Sequence, residues 1–336
     1  MPTSLSRHRL AALLDAAATH RVAVVGDVML DVYLRGDVDR ISPEAPVPVV
    51  RVRERKFALG GAANVAQNVA ALGAEPVLVA IVGSDPAGEV LRDMLGAINA
   101  DARALITADR PTTTKTRVLA RMQQVVRFDE EDDGDLGPAA LTPVLTALHH
   151  ALANADALVL EDYNKGLLVP AVIERAITTA RARSIPIVVD PKYRNFFCYA
   201  GATIFKPNRR ELEAALGAAV DLDHPEALPS AVRRLGVENL VLTLGEQGMV
   251  LVTRTDEVHR VPTTAREVYD AVGAGDTVTA YLAAMLAAGA TPQEAAIVAN
   301  FAAGVEVEKL GAATVGPDEV LAAYDEFQDR SGAPRT

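Results

Sequence analysis

The 336-residue chain has a single cysteine, Cys198, so no disulfide can form within it, and a reducing cytosol suits it. Flanked by Phe197 and Tyr199, that thiol reads as a packed, inert side chain and not as a nucleophile. Positive charge is also in short supply. Against 33 Lys and Arg stand 44 Asp and Glu, a net charge of −11, which argues against a nucleic-acid binder held by its overall field. No apolar run approaches the roughly 20 residues that span a bilayer. Leu10, Leu13 and Leu14 lie at helical spacing within residues 4–21, but Asp15 interrupts them and no signal-type cleavage site follows, so a short amphipathic helix is expected there. These absences predict a soluble, cytoplasmic protein with no nucleic-acid or membrane partner.

Several chemistries lack their residues. There is no Gly-x-x-x-x-Gly-Lys-Ser/Thr loop, and the glycine fingerprint of dinucleotide sites is incomplete, because position 278 is Val. No His-Glu-x-x-His or Cys-x-x-Cys occurs, and the six histidines show no metal-ligand spacing. Zinc hydrolase and nicotinamide oxidoreductase readings therefore lose support. The acidic stretch at residues 130–135 does not have EF-hand spacing and reads as a solvated loop. No repeat, low-complexity tract or Pro/Gly/Ser-rich linker divides the chain, so residues 1–336 are expected to form one domain.

What is present is half hydrophobic by count, 50%, which can fill a sizeable core. Short apolar, β-branched runs recur at residues 22–25, 76–82, 157–160, 185–189, 203–205 and 240–244. Between most of them lie Ala- and Leu-rich stretches at helical spacing, at residues 62–72, 88–97, 138–153 and 170–183. That alternation predicts an α/β fold with a mostly parallel sheet covered by helices on both faces. Thr291, Pro292 and Glu294 supply a cap, a first-turn proline and a capping-box acid for a helix to about residue 308. Residues 32–57 and 112–129 alternate polar and apolar instead, which suits a small, partly exposed antiparallel sheet, in effect a lid.

The richest motif is Gly273-Ala274-Gly275-Asp276, where small residues lead directly into an apolar helical pattern. A bare helix start attracts anions through its N–H groups and its dipole. A carboxylate beside such a site makes sense if it serves a hydroxyl that attacks a phosphate, although Asp is also an ordinary helix cap. Gly60 and Gly61 let backbone approach a ligand, with Asn64 one turn into the next helix as a hydroxyl partner; a glycine turn explains them too. Asn208 and Glu211, three apart, could hold hydrated Mg²⁺ near phosphates or form a capping box. Thr243, Gly245 and Gly248 close a strand as a nucleotide site or a plain hairpin would. Lys192 follows Asp190-Pro191 at a strand's carboxyl end, the edge where α/β sheets place ligands. Lys115, Arg117, Leu119, Arg121 and Gln123 share one face by the period of two, as an anion site or as protection of a sheet edge.

Taken together, Gly60-Gly61 with Asn64, Asn208 with Glu211, and Asp270 with Gly273-Ala274-Gly275-Asp276 resemble, in order and spacing, the ribokinase-like (PfkB) carbohydrate kinases over about residues 20–320. The run from Arg40 to Val50, Thr114-Lys115-Thr116-Arg117, Asp162-Tyr163-Asn164-Lys165-Gly166 and Asp190-Pro191-Lys192 are closely similar to those of D-glycero-β-D-manno-heptose-7-phosphate kinases of ADP-heptose and lipopolysaccharide synthesis. Many of those are fused to an adenylyltransferase bearing His-x-Gly-His, which does not occur here, so the single-function form is expected. Val272 and Glu161 depart from the family pattern, which often has Thr and a small residue there.

The resemblance implies ATP and Mg²⁺ as cofactors and a sugar phosphate as acceptor. It implies Asp276 as base and an anion hole from Gly273, Ala274 and Gly275, with Asn208 and Glu211 organising Mg²⁺ through water. Asp31, Gly60, Gly61, Asn64 and Asp270 would hold the sugar, and Lys192, Arg117 and Arg121 its 7-phosphate. ATP would be bordered by Asn208, Thr243, Gly245, Gly248 and Gly275, with Asn300 and Gly304 near the adenine. Lids of this kind pair between subunits in relatives, so a homodimer through the lid strands is expected. The alternatives are another ribokinase-like kinase for a sugar or nucleoside, and a non-catalytic sensor, which would have no need of Asp276.

Overall fold

The computed structural model describes residues 5–121, 123–222, 224 and 228–331. Ser4 and Met122, which fall in the expected first helix and second lid segment, lie outside them, as do the two ends of the expected 1–336 domain. In chain order the first elements are α1 (Arg7–Ala17), β1 (Arg21–Gly26), β2 (Val28–Ile41), β3 (Pro48–Gly61), α2 (Ala62–Ala71), β4 (Glu75–Val82), α3 (Pro86–Ala97) and β5 (Asp101–Thr107). Next come β6 (Thr114–Ala120), β7 (Gln123–Glu130), α4 (Pro138–Leu152), β8 (Ala157–Glu161), α5 (Pro170–Ala182), β9 (Ile187–Asp190) and β10 (Ile204–Phe205). The remainder is α6 (Arg209–Leu216), α7 (Leu228–Leu235), β11 (Asn239–Thr243), β12 (Met249–Val252), β13 (Val258–Val261), α8 (Ala274–Ala287), α9 (Pro292–Glu306) and α10 (Pro317–Ser331).

Nine strands, in the order β13-β12-β11-β10-β9-β8-β1-β4-β5, make the main sheet. All neighbours from β5 to β11 run parallel, and β12 and β13 add an antiparallel edge. The period of two decides which layer each residue joins. Val22 and Val24 of β1 point into one buried layer with α1, α2, α8 and α9, while Ala23 and Val25 point into the other with α4, α5 and α7. Burial on both faces is why these strands read as unbroken apolar runs. Thr291 and Glu294 form the expected reciprocal cap on α9.

The two alternating segments form a separate four-stranded sheet, β3-β2-β6-β7. It is mixed and not purely antiparallel as expected: β2 and β6 run parallel, each flanked by an antiparallel partner. Register places Asp31 and Tyr33 beside Lys115 and Arg117, which in turn lie opposite Asp129 and Arg127, all on one face. Val32, Leu34, Thr116, Val118, Val126 and Phe128 occupy the other. Arg121 does not continue the basic row. It sits past the end of β6 in a turn with φ of 55°, exposed, and Gln123 belongs to the returning strand.

Two further expectations change. Cys198 is exposed, because its neighbours Phe196 and Tyr199, not Cys198, turn inward. The acidic stretch is clasped instead of merely solvated: Glu131 pairs with Lys115 and Lys165, and Asp133 with Arg194.

Candidate active site

The amino terminus of α8 lies behind the carboxyl ends of the central strands. Gly273 caps it with φ of 99°, and a Cβ there would lie 3.0 Å from Asn64 Nδ2 and 3.2 Å from Glu306 Oε1, so only glycine fits. Thr277 N–H makes the first bond of the helix, to Gly273 O at 2.9 Å. The N–H groups of Gly275 and Asp276 consequently have no acceptor within the helix, as at any helix start. Asp276 is not the cap: it is the third helical residue, and its side chain turns away from the backbone.

That side chain is buried and held twice. Asn64 Nδ2 donates to Oδ2 and Tyr163 Oη to Oδ1, both at 2.8 Å. Burial pushes the Asp276 pKa up to about 6, against the two hydrogen bonds, which favour the carboxylate. Glu161 and Asp190, the paired last residues of β8 and β9, complete a group of three carboxylates whose oxygens lie within 4.8 Å of one another. Lys206 Nζ, itself buried, pairs with Asp190 Oδ2 at 2.9 Å. Burial works against the ammonium, yet Asp190 and Glu161 outweigh it and raise its pKa, so it stays charged. Both oxygens of Glu161 lack a hydrogen-bond partner, and burial, then the charges of Asp190 and Asp276, hold its pKa well above the usual range. The spacing of the three acids would admit a cation, but Lys206 already supplies positive charge to them. Glu306, behind Gly273, is likewise buried without a partner and pushed up to about 8, by burial and then by Asp270 and Asp276.

In front of this group opens a cavity of about 430 Å³. Thr243, Gly245, Gly248, Gly275, Asn208, Asn300 and Gly304, the residues expected around ATP, all line it. Asn208 caps α6 in a full capping box with Glu211, so the bland reading of this pair is correct as structure, and both residues also face the cavity. Thr243 to Met249 likewise form a hairpin and a cavity wall together: a Cβ on Gly248 would lie 2.2 Å from Val261 O. Asn300 Nδ2 donates to Pro262 O at 2.8 Å, and a Cβ on Gly304 would meet Thr264 Oγ1 at 2.5 Å. Lys192 belongs here and not with the lid. Its ammonium pairs with Glu211 at 2.6 Å and lies 5.0 Å from the centre of the Tyr163 ring.

On the other side of Asp276, the residues expected around a sugar gather at the lid's root. Gly60 and Gly61 end β3, and Gly61, at φ of 57°, leads into α2 and Asn64. A Cβ on Gly60 would lie 3.2 Å from Asp31 Oδ2. Asp31 accepts from Arg117 Nη1 at 2.7 Å, and the guanidinium lies 5.2 Å from the Tyr33 ring centre. Asp270 is tied to backbone, accepting from Val272 N–H at 3.0 Å and Gly311 N–H at 3.1 Å. Arg117 and Lys192 are thus not brought together, and Arg121 stands on the lid's far turn.

Sequence reasoning missed Tyr163, Asp190 and Lys206 as site residues. Their signal was position: each stands at or just beyond the carboxyl end of a central strand, the edge that faces ligands in such sheets.

An acid beside a bare helix start, with a cavity lined by Ala274 and Gly275 of that start, is the setting for the comparison with known proteins. The chain is 44% identical over 339 residues to the bifunctional protein HldE of Caulobacter sp. strain K31, covering 96% of this chain and 68% of that one. It is 46% identical over 304 residues to HldE of Gluconacetobacter diazotrophicus, covering 90% and 63%. It thus spans about two thirds of these curated relatives. Among solved structures, Escherichia coli phosphofructokinase-2 in complex with substrates and products superposes with TM-score 0.76 at 20% identity, over 92% of this chain and 99% of that one. Arabidopsis thaliana ribokinase complexed with ribose and ATP gives TM-score 0.72 at 19% identity, over 91% and 98%. These share the ribokinase-like fold. Residues 19–319 match the sequence profile described as pfkB family carbohydrate kinase, and with that match the chain belongs to the PfkB carbohydrate kinases.

Proposed function

We propose that the protein transfers the γ-phosphoryl group of ATP to the anomeric hydroxyl of D-glycero-β-D-manno-heptose 7-phosphate, in the synthesis of ADP-heptose. The observation that carries this is the meeting of Asp276 with an open helix start whose Ala274 and Gly275 line the cavity. Asp276, at about 6, is mostly ionised at pH 7 and accepts the hydroxyl proton as the new O–P bond forms. The bond from the γ-phosphorus to the β-bridging oxygen breaks and ADP leaves. The N–H groups of Gly275 and Asp276, with Gly273 freeing the approach, steady the charge on the transferring group, while the Ala274 N–H, expected in the anion hole, is engaged by Ala271 O at 3.5 Å. Lys192 serves the nucleotide's phosphates in this reading, and Arg117 the sugar's.

The oxygens of Asn208 and Glu211 each accept one bond in the capping box or from Lys192, which favours a hydrated Mg²⁺ held through water. Held there, the ion supplies charge neutralisation to the phosphates. The lid excludes water that would otherwise accept the phosphoryl group. Its outer face exposes Ile41, Val52, Val126 and Phe128, at 61%, 46%, 48% and 47% of their surface, which supports pairing of two lids in a homodimer. No helix among the described residues is long and apolar enough to cross a membrane, and use of ATP supports a cytoplasmic reaction. Incubation with Mg-ATP and a panel of sugars and sugar phosphates tests the reading: ADP release should require heptose 7-phosphate, and equal release with unphosphorylated sugars contradicts it.

A further inference from the structure

We infer that Tyr163 is the positioning residue of the base, its hydroxyl keeping Asp276 ionised and oriented toward the acceptor. The bond is Tyr163 Oη to Asp276 Oδ1 at 2.8 Å, and the ring that carries the hydroxyl is immobilised from several sides. Asp27 accepts from the N–H groups of Tyr163 and Lys165 at 2.9 Å and of Leu167 at 3.2 Å, which pins the loop after β8. Asp162, anchored by Tyr199 Oη at 2.7 Å, accepts from Asn164 N–H at 2.7 Å. The ring passes beside Gly61, where an added Cβ would lie 3.5 Å from Tyr163 Cδ2, and Lys192 lies over its face. A hydroxyl so fixed cannot follow Asp276; Asp276 is set by it.

Each carboxylate oxygen can accept two hydrogen bonds. Asn64 takes one site on Oδ2 and Tyr163 one on Oδ1, so the carboxyl plane is defined while sites remain for the acceptor hydroxyl. The surroundings make this support necessary. Glu161, Asp190 and Glu306 face Asp276 from β8, β9 and α9, against Lys206 after β10 and Lys192 beyond Tyr163. Burial drives Asp276 toward its neutral form, which cannot accept a proton, and the Tyr163 bond opposes that. The hydroxyl itself stays a donor, because burial and then the Asp276 charge hold its pKa well above the usual value.

The kinetic part of the test rests on the proposed function; the titration does not. Carbon-13 NMR of labelled aspartate, with Asp276→Asn to assign the signal, gives the protonation midpoint of Asp276 without substrate. In Tyr163→Phe, which keeps the ring, the midpoint should rise by about one pH unit, the scale of one charge-assisted hydrogen bond. With turnover measured, the acid limb of kcat/KM should move up by the same amount while KM for ATP is unchanged. An unmoved midpoint in a variant that melts like the parent overturns the inference. If the midpoint moves but the parent turns over no sugar, Tyr163 keeps its role and the kinase reading falls instead.

Discussion

Asn64 and Asp276, 212 positions apart in the chain, are joined by a 2.8 Å hydrogen bond from the amide to the carboxylate. The bond ties the first turn of α2 to the first turn of α8. A second link, Thr277 Oγ1 to Asn68 Oδ1 at 3.3 Å, repeats it one turn on. The helix that leaves the lid's root and the helix that presents Asp276 are therefore one framework. A sugar hydroxyl held near Asn64 is already within reach of Asp276, and orientation of that kind removes much of the entropic part of a barrier.

The pH dependence follows from that carboxyl. Its pKa is raised to about 6, so the active, ionised form is lost as pH falls through 6 and retained above it. We expect kcat/KM to drop about tenfold per pH unit below about 6 and to be flat from 7 to 8. A pH–rate profile with an acid limb near 4 would show that Asp276 is not the titrating base.

The lid makes a separate prediction. Arg117 is the cation that pairs with Asp31, whose carboxylate holds it at 2.7 Å. Arg117→Ala removes the positive charge and leaves Asp31 unpaired, so KM for a phosphorylated sugar should rise by about tenfold or more, the scale of one charge-assisted contact. KM for ATP should hardly change; equal effects on both would place the sugar's phosphate elsewhere.

At the nucleotide end, Glu211 bonds both Lys192 and the Asn208 N–H. Glu211→Gln keeps the shape of the cap and removes its charge. The Mg²⁺ concentration needed for half-maximal rate should increase several-fold, and chelation by EDTA should abolish turnover in either form. An unchanged Mg²⁺ requirement would separate Glu211 from the ion.

Phe128 and Val126 lie on the lid face opposite Arg117. Phe128→Asp should shift the protein from dimer to monomer in light scattering, because a buried unpaired charge costs several kcal/mol at an interface. A parent protein that scatters as a monomer would refute pairing through the lids.

Much of this was legible because two chain periods are easy to see. The parallel strands were announced by runs such as residues 157–160, and the strand end before Lys192 pointed to the ligand edge, while Tyr163 and Asp190, at or just beyond the ends of β8 and β9, were passed over. Gly273 to Asp276 was legible as a helix start, but not its geometry: whether Asp276 caps its own helix or turns to Asn64 depends on a partner far away in sequence. The same holds for Lys206. Nothing local distinguishes it from a surface lysine, since its partner, Asp190, comes from the neighbouring strand. The lid's alternation was plain, while the parallel pairing of β2 with β6 and the turn at Arg121 were not, because period two says which residues share a face and not which strands are neighbours. Asn208 and Glu211 show a further limit: the capping box that the sequence suggested is present, and the same two residues also line the cavity, which a local pattern cannot reveal.

The most direct measurement is the single-turnover rate of Asp276→Asn with Mg-ATP and heptose 7-phosphate, alongside its affinity for ATP. Asparagine preserves the size of the side chain and cannot take up the proton. The account predicts a rate lower by about 10²–10⁴, the usual scale for a general base, with ATP bound as in the parent. A rate within a few-fold of the parent would contradict it.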